Sequence, residues 1–253
     1  MNTLSRFTSA ISRYLGRTGA PRLEFRAALI DMDGTLYDSM PRHARAWQQM
    51  MAEIGIDMPL DEFFRHEGRT GAATIDLLFR RHLGRPATEE DTLRLYHRKT
   101  ELFAAMPPVD VMAGAPEMTA YLMRAGITRV LVTGSGQHTL LNRLDTDFPG
   151  CFPRQLRVTS RDVAKGKPAP DPYLQAMHIV GASPWQCLVV ENAPLGVESG
   201  ARSGAFTVGV TTGPLKAAEL EVAGADIVFP SMPEFAAALP LMHQSVLSYS
   251  PSV

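Results

Sequence analysis

The chain has 253 residues, 45% of them hydrophobic and 20% charged, with 25 basic and 26 acidic side chains and a formal net charge of -1. That balance supplies no strong field for nucleic acid or an anionic membrane, and no apolar run approaches the roughly 18 residues that span a bilayer. Two cysteines, Cys151 and Cys187, cannot build a disulfide framework, so the expectation is a cytoplasmic, monomeric globular protein.

Residues 1–26 carry Arg6, Arg13, Arg17, Arg22 and Arg26 but a single acid, Glu24. Leu4, Phe7, Ile11 and Leu15 recur at helical spacing, which predicts a short amphipathic helix on the surface or a frayed arm. An organellar transit peptide has the same Arg-rich, acid-poor character and would change the compartment. The run AALIDMDGT then reads as a buried strand ending in acids. Residues 40–106 read as helices at 40–55, 60–66, 72–83 and 88–105, broken at Gly55, Pro59, Gly71 and Gly84.

After Pro107 and Pro108 the texture changes. Apolar runs at 129–133, 156–160, 187–192, 206–210 and 226–229 alternate with helical stretches at 115–125, 136–146, 171–180, 194–203, 214–222 and 233–243. This alternation predicts an α/β fold with a doubly wound, Rossmann-like parallel sheet. The first strand precedes the helical block and its sisters follow it, so that block reads as an inserted all-helical cap. The predicted organisation is an arm at 1–26, a core of 27–37 plus 111–245, and a cap at 38–110. The Ser- and Pro-containing tail from about 244 to 253 reads as loose.

The string DMDGTLYDS, residues 31–39, follows the first strand. It delivers Asp31 and Asp33 to the C-terminal edge of the sheet, where open α/β sheets bind ligands, and Gly34 permits a sharp turn. Alternation points both carboxylates to one side, where one can attack phosphorus and the other can carry a proton. This string resembles the nucleophile motif of the haloacid dehalogenase superfamily of phosphoryl-transfer enzymes. Three further motifs of that superfamily follow in order. LVTGSG supplies Thr133, GKPAPDPY supplies Lys167, and CLVVENAPLGVESGARSG supplies Glu191 and Asn192. Taken singly, Thr133 and Glu191 read as helix caps and Lys167 as a loop lysine; order, spacing and strand context favour the site.

The resemblance implies a Mg²⁺ ion held by Asp31, by Asp33 through its main-chain carbonyl, and by an acid of the last motif. It implies that Thr133, with the N–H groups of Gly134 and Ser135, receives the phosphoryl oxygens while Lys167 places a positive charge on them. The last motif departs from the usual two acids, since Asn192 keeps an oxygen but drops a charge. Either its amide oxygen coordinates, or Glu191 and waters do.

The run HARAW, His43 to Trp47, resembles the hinge and first cap helix of the β-phosphoglucomutase-like subgroup. That likeness implies that His43 gates the acid/base aspartate and that Lys99 meets the substrate phosphate. The subgroup's cap-loop arginine aligns with Gly71; here Arg69 stands two residues earlier, and a glycine at that place is expected to loosen a second phosphate site. The function implied is hydrolysis of a small, sugar-like phosphomonoester through an aspartyl-phosphate. The alternatives are a phosphomutase acting on a hexose phosphate and a non-catalytic ligand-binding relative. Dehalogenation and phosphonate cleavage fit less well: Asp33 adds an acid/base the first does not use, and no lysine lies between Asp31 and Lys99 for the second.

Overall fold

The computed structural model describes residues 3–135 and 138–250. Residues 1–2, 136–137 and 251–253, including the end of the expected loose tail, lie outside the described residues. Six apolar runs form one parallel sheet: β1 (Ala27–Ile30), β2 (Thr128–Val132), β3 (Arg157–Val158), β4 (Cys187–Glu191), β5 (Phe206–Val210) and β6 (Ile227–Phe229). Their order is β3-β2-β1-β4-β5-β6. Every residue of β1, β4 and β5 is buried. Helices cover both faces of such a sheet, which is why these strands read as unbroken apolar runs. Ile30 lies beside Leu131 on one side and Val190 on the other. Successive crossovers leave β1 in opposite directions, so a crevice opens at its C-terminal end.

The helices are α1 (Thr3–Thr18), α2 (Met40–Glu53), α3 (Leu60–Phe64), α4 (Gly71–Leu83), α5 (Glu89–Ala104), α6 (Ala115–Arg124), α7 (His138–Asp147), α8 (Asp171–Val180), α9 (Pro194–Arg202), α10 (Ala217–Val222) and α11 (Met232–Ser248). Helices α2 to α5 share their own hydrophobic cluster, with Met50, Met51, Phe63, Ile75, Leu78, Phe79 and Leu95 at its centre. Their ends are written locally. Thr70 caps α4 by accepting from the Ala73 N–H, Thr88 and Asp91 form a reciprocal capping box on α5, and Gly84 ends α4 at φ 66°. The two chain crossings into this helical unit are tied together. Asp38 N–H donates to the Asp110 carbonyl at 3.0 Å and Met112 N–H to the Leu36 carbonyl at 2.9 Å.

Several boundaries differ from the sequence reading. Strand β3 has only two residues, at the edge of the sheet, and α10 begins at Ala217. Residues 244–249 are not loose. Helix α11 runs to Ser248 because Ser245 and Val246 still face the core, and Tyr249 packs against it. Residues Thr3–Thr18 form the expected amphipathic helix and are docked rather than frayed. Helix α1 buries Phe7, Ala10, Ile11 and Tyr14, whereas Leu4 is 50% exposed. The apolar stripe therefore runs through Tyr14 rather than Leu4. Tyr14 meets Phe206 edge-on at 5.5 Å and donates to the Gly204 carbonyl at 2.9 Å. The arginines that raised a targeting reading hold this helix in place: Arg17 pairs with Asp226 at 2.7 Å, Arg13 donates to the Asp226 carbonyl, and Arg6 to that of Val228. No helix among the described residues is long and apolar enough to cross a membrane.

Candidate active site

Strand β1 ends at Ile30, and the next residues enter a chamber between the sheet edge and the helical unit. Asp31 N–H still bonds to the Val190 carbonyl at 3.1 Å, which fixes the backbone where the strand stops. Gly34 then turns at φ 84°; a Cβ there would lie 2.0 Å from the Asn192 amide nitrogen. Glycine is thus needed for both the turn and the close approach of the last motif.

The two aspartates line one chamber, as alternation suggested, but have different partners. Asp31 accepts from Lys167 Nζ at 2.5 Å. Burial pushes Asp31 up to about 8 against the pull of Lys167, while Glu191 and Asp33 add to the rise. Burial would lower the Lys167 ammonium, but Asp31 and Glu191 outweigh it and hold Lys167 above its ordinary value. Asp33 Oδ1 accepts from Ser39 Oγ at 2.7 Å and lies 2.9 Å from His43 Nε2. Burial works against its ionised form, yet His43 and Ser39 prevail and keep Asp33 below the usual carboxylate range.

Lys99 has a neighbour that the sequence did not name. Its Nζ is buried 2.7 Å from His43 Nδ1 and sits over the rings of Trp47 and Phe103. Burial pulls it down to about 7. A lysine donating to Nδ1 leaves Nε2 carrying the imidazole proton towards Asp33. The structure thus strings Asp33, His43 and Lys99 into one line from core to cap, and Lys99 also lines the chamber.

Thr133 is buried at the end of β2, and its Oγ1 accepts from Ser135 N–H at 2.9 Å. The Ser135 N–H expected on a phosphoryl oxygen is therefore engaged locally. Gly134 lies against the cap: a Cβ there would be 2.5 Å from the Gly68 carbonyl. Glu191 is held on all sides. Lys167 Nζ and Tyr173 Oη donate to its Oε1, while the N–H groups of Asn192 and Ala193 donate to Oε2.

Glu67 was not foreseen from the sequence. This cap residue is 6% exposed, and its Oε2 accepts from Asn192 Nδ2 at 2.9 Å. Burial raises its pKa well above the ordinary value, with Asp31, Glu191 and Asp33 adding to the rise. Among the described residues, Glu67 Oε1, His66 Nε2 and Arg69 Nε are buried without a hydrogen-bond partner, and all three residues line the chamber. Unsatisfied buried polar atoms are costly, so three on one loop mark a place for a ligand. No spacing rule links a loop glutamate to the motifs around the sheet edge; only the fold brings it there.

Among the described residues no three His, Cys, Asp or Glu side chains form a ready metal cage. Mg²⁺ does not require one, because it takes one or two carboxylates and keeps waters and substrate oxygens. The orphaned Glu67 Oε1 beside Asn192 and Asp31 gives hard oxygen donors of the right kind, so the residues fit such an ion.

The chamber is small, about 60 Å³, room for roughly five water positions and hence for little more than one phosphoryl group. Tyr96 forms one wall. A Cβ on Gly71 would lie 2.2 Å from its ring, so Gly71 is packed by Tyr96 rather than loosening the site. Beyond Tyr96 lies a wider groove of about 840 Å³, bordered by α5 and residues 160–166.

A parallel α/β sheet with a helical unit inserted after β1, and four motifs converging at the sheet edge, defines a class of capped phosphoryl-transfer folds. The chain belongs to the haloacid dehalogenase-like hydrolase family, whose model matches residues 25–204. It is 32% identical to hexitol phosphatase A of Escherichia coli strain K12 over 72% of this chain and 81% of that one. It is 28% identical to beta-phosphoglucomutase of Bacillus subtilis strain 168, over 78% and 88%. A solved structure, "Putative beta-phosphoglucomutase from Bacteroides vulgatus", superposes with a TM-score of 0.92 at 44% identity, covering 97% of this chain and 99% of that one. The likeness to the β-phosphoglucomutase-like subgroup thus extends through the helical cap.

Proposed function

We propose that the protein is a Mg²⁺-dependent phosphatase acting on a compact phosphorylated metabolite through a phospho-Asp31 intermediate. The observation that carries this reading is the pair of carboxylates in one chamber with opposite settings, Asp31 against Lys167 and Asp33 against His43 and Ser39. Asp31 attacks phosphorus, the bond to the leaving oxygen breaks, and a proton on Asp33 passes to that oxygen. Asp33, then ionised, takes a proton from water as the water attacks phosphorus and frees Asp31. The closed arrangement, with Asp33 held in its ionised form, suits this second half. Thr133 lines the chamber beside the transferring group, Lys167 sits behind it on Asp31, and Arg69 and His66 offer nitrogens to the leaving part. Asp31, the Asp33 carbonyl, Asn192 and Glu67 would hold the ion, with Glu191 countering Lys167. When bound, it offsets the repulsion between phosphate and Asp31.

The named relatives act on sugar phosphates or carry sugar-phosphate names, which supports that substrate class. The 60 Å³ chamber favours its smaller members, or a leaving part that is itself a phosphate, over a hexose. Tyr96 fills the space where a phosphomutase would seat a second phosphate on its cap, so hydrolysis is preferred to isomerisation. Two buried, unpaired cysteines are in keeping with a reducing compartment such as the cytoplasm. The test is phosphate release from a panel of glycerol phosphates, pyrophosphate and hexose phosphates, with Mg²⁺ and with EDTA. The expected result is Mg²⁺-dependent release that Asp31→Asn reduces at least about 100-fold with the circular dichroism spectrum unchanged. Turnover surviving Asp31→Asn would overturn the assignment.

A further inference from the structure

We infer that Tyr173 is a positioning residue whose hydroxyl, through Glu191, fixes the aim of Lys167 at Asp31. The inference rests on the phosphoryl-transfer reading of Asp31 and Lys167. Tyr173 lies near the start of α8, bonds to Glu191 and is fully buried. It does not line the chamber, so it touches neither the reacting atoms nor a substrate.

The argument begins with the lysine. An ammonium has three protons, and Lys167 Nζ has three acceptors: Asp31 Oδ1 at 2.5 Å, Glu191 Oε1 at 2.5 Å and the Val132 carbonyl at 3.1 Å. The Val132 carbonyl is backbone, and Asp31 is a short side chain on backbone fixed by its N–H bond to Val190. The third, Glu191, is a side chain with free torsions unless something holds it.

Three things do. The Asn192 and Ala193 N–H groups hold Oε2. Gly196 leaves room behind it, since a Cβ at that position would lie 1.9 Å from Oε1. Tyr173 Oη donates to Oε1 at 2.8 Å, the same oxygen that receives Lys167. The Tyr173 ring also lies beneath the ammonium, 5.4 Å from its centroid to Nζ. One residue thus supports Lys167 with its ring and steers it with its hydroxyl. Without the hydroxyl, Oε1 keeps only the lysine, and the carboxylate can rotate and draw the ammonium away from Asp31.

Tyr173→Phe separates the two contributions, because it retains the ring and the packing. A crystal structure of the metal-free variant reads the geometry whatever the reaction. The expected result is a turned Glu191 carboxylate, with Lys167 Nζ more than 3.5 Å from Asp31 Oδ1; an unchanged triad would overturn the inference. On an active ester, kcat should fall about tenfold with KM within twofold and Tm nearly unchanged. A kcat within twofold of wild type would also overturn it, as would a fall accompanied by an equal loss of Tm. Failure of the underlying reading has a different signature: wild-type protein without Asp31-dependent turnover, while the geometry of the variant still decides the role of Tyr173.

Discussion

Glu67 and Asn192 meet across the boundary between the helical unit and the sheet, the amide donating to the carboxylate at 2.9 Å. The one position at which the last motif departs from two acids is thus the position that a glutamate from the cap faces. The carboxyl group missing at Asn192 is supplied from the cap by Glu67. An aspartate at 192 would stand against a buried carboxylate, so asparagine and cap glutamate belong together.

This pairing predicts the behaviour of Asn192→Asp. Without a cation, two buried carboxylates would face each other, and the variant should lose on the order of 1–3 kcal/mol in EDTA. Added Mg²⁺ should raise its Tm by more than it raises that of the wild type, because one more charge joins the oxygens around the ion. Thermal unfolding in EDTA and across a Mg²⁺ titration checks both. Equal Mg²⁺-induced shifts in the two proteins would place the ion away from residue 192.

Lys99 predicts a pH dependence of stability. The folded chain holds it near about 7, against 10.5 ordinarily. Between those values the unfolded chain binds a proton that the folded chain lacks. Stability therefore rises with pH across that window, and below about 7 the penalty for burying the charge is complete. Lys99→Met should flatten this slope between pH 7 and 10. The slope is the quantity to read, because the lost bond to His43 costs about 1 kcal/mol at every pH. A slope equal to that of the wild type would mean that Lys99 stays protonated in the folded protein.

Tyr96 predicts a change of substrate size. Its ring separates the small chamber from the groove along α5. Tyr96→Ala should join the two and raise kcat/KM for hexose phosphates relative to glycerol phosphates by about tenfold or more. The comparison requires only the two substrates on each protein, and an unchanged ratio would remove Tyr96 as the size limit.

The sequence was most legible where side chains hang on strand ends. Asp31, Thr133 and Glu191 converge because β1, β2 and β4 are neighbours in the parallel sheet that the alternation of elements predicts, and Lys167 joins them from the loop before α8. Glu67, His66 and Tyr96 were opaque for the opposite reason. They arrive by closure of the helical unit on the sheet, and nothing in HEGRTG says which face of that loop turns inward. Lys99 was found as a residue but its contact with His43 was not, because His43 lies 56 positions away and the contact depends on how α2 and α5 pack. The 244–248 turn of α11 was missed because its inward residues, Ser245 and Val246, do not extend an obvious apolar pattern.

Helix α1 has a consequence for how the chain is made. It is synthesised early, yet its docking partners are encoded far downstream: Gly204 lies 190 residues after Tyr14, and Val228 lies 222 after Arg6. While the ribosome completes β5, β6 and α11, an arginine-rich helix with Phe7, Ile11 and Tyr14 uncovered waits upstream of its partners. It is open early to a chaperone or a sorting factor and among the last segments to be hidden. Closing so long a loop is slow relative to the local contacts of the cap. The time this amphipathic segment spends undocked is therefore set by the rate of translation rather than by its own sequence.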